Sequence, residues 1–249
     1  MKFADRAQYI KDLRISLIFP FIVLALVLAG IWAWRNFLDS PPYVDLERYP
    51  IRGIDVSRHN GMMNLDAAAK DGIDFIFIKA SEGESLRDPN FRLNYEKARH
   101  AGLAIGAYHF FRFDVGGVAQ ARNFLAAVGD RPLDLGLAID VEEHGNKPTD
   151  PELVKDRLRA MAEFLYLSGH RVIFYTNRDG YYDLLRDAMP GAPLWICSFN
   201  RIPIQAEWTF WQYSHRGRVA GIRGDVDLNA FVGSRADWKR LLSTGSIEQ

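Results

Sequence analysis

Residues Leu137–Gly145 read LAIDVEEHG. An apolar run with the length of a buried strand stops on Asp140 and Glu142, with Glu143 and His144 behind them. Residues i and i+2 of a strand share a face and lie about 6.5–7 Å apart along the chain. Asp140 and Glu142 therefore point one way, and Val141 and Glu143 the other. Strand ends often carry solvated or capping acids, so the pair gains meaning only from what the other strands end on.

The same construction recurs outward from this stretch. IRGIDVS closes on Asp55, IDFIFIKASEG carries Lys79 and Glu82, and LAIGAYHFFR carries Tyr108, His109 and Arg112. RVIFYTN ends on Tyr175 and Asn177, APLWICSF holds Trp195, WTFWQYS holds Trp211, Gln212 and Tyr213, and DVDLNAF holds Asp227 and Asn229. Between the early strands lie helical patterns. One is DPELVKDRLRAMAEFLYLSG, which opens on an Asp cap and a Pro in the first turn and closes on Gly169. Near-continuous apolar strands alternating with helices imply a parallel sheet covered on its outer face. The expected fold class is α/β: an irregular (β/α)8-like barrel over residues 51–243, poor in helices in its second half, with a short tail at 244–249. An open doubly wound sheet is the alternative, and no Gly-rich phosphate turn supports it.

In such a barrel the site lies at the C-terminal strand ends, where this sequence gathers acids and aromatics. Two close carboxylates perturb each other: the drier one keeps its proton near neutral pH and the other stays charged. A protonated acid beside a carboxylate is the apparatus for cleaving a glycosidic bond, and aromatic faces with a few polar groups suit a sugar ring. Metal chemistry is the rival use of converging acids. The six histidines show no metal-binding spacing, so no cofactor is expected, although an acid-rich site for Mg²⁺ stays open.

The totals narrow the classes further. The 249 residues carry 31 basic and 31 acidic side chains, without the basic footprint that a nucleic-acid partner demands. Cys197 is the single cysteine, so no intrachain disulfide forms, and its apolar context reads as packing. From Ile15 to Trp34 the chain has no charged residue, which suits a bilayer span. Lys2, Arg6, Lys11 and Arg14 precede it, which places residues 1–14 in the cytoplasm and the remainder outside. The expected organisation is a single-pass anchor at 15–34 in the cytoplasmic membrane, a linker at 35–50, and a catalytic domain facing the periplasm or wall. A cleaved signal peptide and a secreted protein is the alternative.

The ordered blocks GIDVSRHNG, FIFIKASEG, AGLAIGAYHFFR, LAIDVEE, VIFYTNR, FWQYS and DVDLNAF resemble those of the glycoside hydrolase family 25 lysozymes from about Arg52 to Phe231. These enzymes are N-acetylmuramidases of cell-wall peptidoglycan. The resemblance implies hydrolysis of the β-1,4 bond between N-acetylmuramic acid and N-acetylglucosamine, with Glu142 as proton donor and Asp140, Asp55 and Asp227 supporting it. It also implies Tyr108, Tyr175 and Trp211 as sugar contacts and peptidoglycan strands as the partner. The strand ends add Lys79, Glu82 and Gln212 as candidate substrate contacts, and a monomeric catalytic domain is expected. SEG at 81–83 stands where TEG is commoner. GMMNLDAA stands where an Asp-Trp pair often follows the first strand. Two readings from other classes compete: a catalytically silent wall-binding module, and a metal-dependent phosphodiesterase on a barrel.

Overall fold

The computed structural model describes residues 18–34, 44–45, 47–199, 202–203 and 208–244. The expected cytoplasmic segment 1–14, most of the linker and residues 245–249 of the tail lie outside them. The chain divides into two units, Met1–Pro41 and Pro42–Gln249. In the first, a helix over 18–34 is apolar throughout and exposed at every position. At about 1.5 Å per residue its 17 residues reach only about 26 Å. Among the described residues no helix is long and apolar enough to cross a membrane. Residues 15–17, which would complete the expected span, are not among them.

The second unit is an eight-stranded α/β barrel. Its strands are β1 (Arg52–Val56), β2 (Phe75–Glu82), β4 (Ala104–Phe110), β5 (Gly136–Asp140), β6 (Val172–Asn177), β7 (Leu194–Cys197), β8 (Phe210–Gly217) and β9 (Val226–Phe231). The two-residue strand β3 (Leu86–Arg87) pairs only with the end of β2. Strands β1, β2, β4, β5, β6, β7 and β8 are parallel neighbours in that order, and β9 closes the ring antiparallel to both β8 and β1.

The antiparallel β9 corrects the expectation of an all-parallel sheet. A parallel return needs a crossover of a dozen or more residues, and the link from Gly217 to Val226 is too short for one. The reversal matters for the site. Asp227 stands near the start of its strand, and only an antiparallel course brings that end to the rim where the other strands finish.

Alternation along each strand sorts side chains into two layers. Facing inward are Phe75 and Phe77 of β2, Tyr175 of β6, Trp195 of β7, Phe210 of β8 and Phe231 of β9, packed into one buried cluster. Phe77 stacks on Trp195 at 4.4 Å, and Phe210 meets Phe75 and Phe77 at 5.2 Å each. Gly53 and Gly106 leave space for the Phe75 and Phe77 rings where a Cβ would collide with them. Trp238 of the closing helix α5 (Arg235–Thr244) plugs the lower end against Phe75 and Phe231. Each such ring contributes roughly 1.5–3 kcal/mol of burial. The lumen is thus filled from below, and polar groups occupy only its upper end.

Facing outward, Ile54, Ile76, Ile105, Ile139 and Phe174 pack against the surrounding helices. These are α1 (Leu65–Lys70), α2 (Phe91–His100), α3 (Gly117–Val128) and α4 (Pro151–Leu167). Asp150 caps α4 by accepting from Glu152 N and Leu153 N, with Pro151 in the first turn. Tyr49, which the sequence places in the linker, is 3% exposed and packs edge-on against Trp211, so this outer layer reaches back to it.

Candidate active site

At the upper end of the lumen a cavity of about 240 Å³ is lined by Asp55, Asp140, Glu142 and Asp227, with Tyr108, Tyr175, Trp195, Phe199 and Gln212. Four acids from three strand ends therefore meet in one place. Asp55 and Asp227 are direct cross-strand partners of β1 and β9, a pairing that sets Cβ atoms about 4.5–5.5 Å apart.

Among the described residues the Asp55 carboxyl is held by two side chains. Its Oδ2 accepts from Gln212 Nε2 at 2.9 Å and from Asn229 Nδ2 at 2.8 Å. Tyr175 OH donates to Gln212 Oε1 at 2.8 Å, and Trp195 Nε1 donates to Asn229 Oδ1 at 2.8 Å. Each amide has its oxygen committed to an aromatic donor, which leaves its NH₂ free to point only at Asp55. Burial pushes Asp55 up to about 6, against the pull of these two hydrogen bonds. Asp227, with burial and the charges of Asp55 and Glu142 acting on it, is pushed up to about 8.

Asp140 is the last residue of β5 and Glu142 lies just beyond it. Asp140 is 6% exposed, and its Oδ1 is buried with no hydrogen-bond partner among the described residues. Burial, and next the charge of Glu142, hold its carboxyl well above the usual carboxylate range. Glu142 is half-buried at the cavity wall and is also raised, first by burial, while His144 and Lys79 pull it down. Glu143 is exposed.

Lys79 and Glu82 stand beside the acids rather than in the cavity lining. They pair at 2.8 Å, and Arg112 approaches Glu82 at 3.6 Å. Trp211 is not in the cleft. It is fully buried in the outer layer, 5.9 Å from both Tyr49 and Trp208, and donates to Ser198 O. The reason is parity: Gln212 points inward, so its strand neighbour points outward. Trp195 takes the place at the cavity that the sequence reading gave to Trp211, and it lies 4.6 Å from Tyr175 and 6.3 Å from Tyr108. The strand ends place Trp195 and Asn229 at this rim without a role, and Phe199 is not read from the sequence. The first two share the inward parity of Asp227 and Tyr175, which was the signal available. Phe199 lies on a loop and gave none.

Cys197 does not offer a nucleophile, since burial pushes its thiol up to about 12. Ser81 and His109 form a buried pair at 2.8 Å on the outer face, with His109 held down at about 4 by burial. Among the described residues no group of three or more His, Cys, Asp or Glu is arranged to hold a metal ion.

The family model for glycosyl hydrolases family 25 matches residues 54–222. The uncharacterized protein YegX of Escherichia coli strain K12 is 39% identical over 194 residues, covering 75% of this chain and 71% of that one. Lysozyme M1 of Streptomyces globisporus is 33% identical over 211 residues, covering 78% of this chain and 70% of that one. Among solved structures, a family 25 glycosyl hydrolase from Bacillus anthracis superposes with a TM-score of 0.73 at 33% identity, covering 80% of this chain and 96% of that one.

Proposed function

We propose that this chain, which belongs to glycosyl hydrolases family 25 and is a glycoside hydrolase, cleaves the β-1,4 bond between N-acetylmuramic acid and N-acetylglucosamine in peptidoglycan, with Glu142 as general acid. The observation that carries this reading is the convergence of four carboxyls with raised proton affinity on one aromatic-lined cavity. A raised carboxyl at the cavity wall can hold a proton at neutral pH and deliver it to a leaving sugar oxygen.

The depths of Asp140 and Glu142 assign their parts. In the free enzyme Asp140 is the drier acid and holds the proton that the pair shares. Its unpartnered Oδ1 suits the N–H of a 2-acetamido group. An N–H donated there favours charged Asp140 and leaves the proton to Glu142, which the bound sugar now covers. Glu142 then protonates the glycosidic oxygen as the C1–O bond breaks, while the acetamido carbonyl oxygen bonds to C1. In the second step water adds to C1 as the bond from C1 to the acetamido oxygen breaks, which restores the acetamido group, and the proton that water loses returns to Glu142. Asp55 and Asp227 orient the sugar and support charge from the opposite strands, and Tyr108, Tyr175 and Trp195 form the walls. Glu142→Gln keeps the shape and loses the proton, so kcat on peptidoglycan falls by about 10²-fold or more. Activity retained within a few-fold rules out the assigned role.

The second part of the proposal is anchoring. The charge-free run 15–34 and the basic residues before it support a single-pass anchor in the cytoplasmic membrane, with the barrel on the far side and the action confined to nearby wall. Carbonate washing of membranes tests it. Retention of the chain in the pellet is expected, and release into the wash contradicts it.

A further inference from the structure

Glu142 lies past the end of β5, where no strand ladder fixes it. The residues before it are fixed: Val141 N donates to Tyr175 O, and Thr176 Oγ1 donates to Val141 O at 2.7 Å. From Glu142 onward the backbone is tied in the opposite direction, to the segment that follows β4. Asn146 makes this tie. Its Nδ2 donates to Glu142 O and to Phe111 O, both at 2.9 Å, and its Oδ1 accepts from Phe113 N at 2.9 Å. Arg112 Nη1 adds a second tie by donating to Gly145 O at 2.6 Å.

The segment that receives Glu142 is itself anchored by an amide. Gln120 of α3 accepts from Arg112 N at 2.8 Å and donates to Arg112 O and Val115 O. Its oxygen also faces His109 Nε2, 3.2 Å away in the buried pair with Ser81. Because Gln120 Oε1 is an acceptor, Nε2 carries the ring proton and Nδ1 accepts from Ser81. The frame behind Glu142 is therefore two side-chain amides in series, reaching from the outer core to the rim.

We infer that Asn146 is a positioning residue for the general acid: it sets the direction from which Glu142 reaches the glycosidic oxygen. This rests on the reading of Glu142 given above. The position needs one acceptor and two donors on a short stem. Asp supplies no donor and Ala supplies neither. Proton delivery depends steeply on geometry, and a displacement of about 1 Å can lower a rate by about 10²-fold.

The test separates proton delivery from general damage by varying the leaving group. Wild type, Asn146→Ala and Asn146→Asp are assayed as full chains on purified peptidoglycan and on a dinitrophenyl β-glycoside of an N-acetylmuramic acid-containing saccharide. The dinitrophenolate departs without protonation, and kcat/KM is compared because it reports the first step alone, before Glu142 takes the proton of water. Both variants are expected to lose about 10–100-fold in kcat/KM on peptidoglycan, and less than about threefold in kcat/KM on the activated glycoside. Lys147→Ala removes the exposed Lys147–Asp114 ion pair that joins the same two segments at 2.6 Å. It is expected to match wild type on both substrates. Equal losses on both substrates mean that Asn146 only maintains the fold, and no loss on either means that it does not position Glu142; each overturns the inference. If Asn146→Ala does not fold, Asn146→Asp, which keeps the size and the acceptor for Phe113, decides alone. If wild type releases no new reducing ends from peptidoglycan, the failure lies with the proposed function and not with Asn146.

Discussion

Asp55 shows how single residues here are specified by partners far away in the chain. Gln212 and Asn229 can turn their NH₂ groups to it only because Tyr175 and Trp195 occupy their oxygens. Tyr175, Trp195 and the acid are thus one bonded unit, and neither ring can be changed without disturbing the carboxyl. Trp211 and Trp195 give the sharpest contrast. Trp211→Leu leaves a hole in the outer layer, and unfolding titrations are expected to show a loss of about 2–4 kcal/mol with KM changed less than twofold. Trp195→Leu is expected to lower kcat/KM at least tenfold, because it opens the cavity wall and frees Asn229. The reverse ranking would mean that the substrate sits against the outer layer. At this scale the acids were readable from the sequence, since parity alone puts Asp140 and Glu142 on one side of the chain. Parity also separates Trp211 from Gln212, and assigning sugar contact to both set that rule aside. The link from Trp195 to Asn229 was not readable, because it depends on where β7 and β9 lie in a closed ring.

The elements follow local chemistry closely. Asp150 and Pro151 start α4 where the sequence suggested, and Gly169, at φ 81°, follows its end. Strand order followed from apolar runs separated by helices. Strand direction did not, because a run of residues reads the same whichever way it enters a sheet. The short link before β9 was the available signal, and it required a hairpin. Helix packing adds one tight point. Gly117, in the first turn of α3, faces the backbone of Arg157 on α4 so closely that a Cβ has no room. Gly117→Ala is expected to push the two helices apart at a cost of about 1–3 kcal/mol, measured by denaturant unfolding. An unchanged or raised midpoint would show that the contact relaxes freely.

For the whole molecule, the acid cluster has a thermodynamic consequence. Asp227 titrates at about 8 in the fold and ordinarily at 3.8, and Asp55 at about 6. The folded state therefore binds protons more tightly than the unfolded chain. The stability these groups contribute is complete below about pH 4 and is lost as pH rises through about 8. Asp140 and Glu142 act in the same direction. Asp227→Asn removes one such group, so the Tm of the variant relative to wild type should climb between pH 4 and pH 8 and level off above. One pKa unit corresponds to about 1.4 kcal/mol, and Asp227 remains partly in contact with water, so a gain of at least about 1 kcal/mol at pH 8 is expected. A Tm difference that does not vary with pH would contradict the raised proton affinity. The fold holds these acids together against that cost, which is the mark of a site kept for chemistry rather than for stability.

The central claim is tested most directly by the products. Purified peptidoglycan is digested with the full chain, reduced with borohydride and analysed by mass spectrometry. The account predicts new fragments ending in reduced N-acetylmuramic acid, absent when Glu142→Gln is used. Fragments ending in reduced N-acetylglucosamine, or binding of the glycan with no new reducing ends, would contradict it.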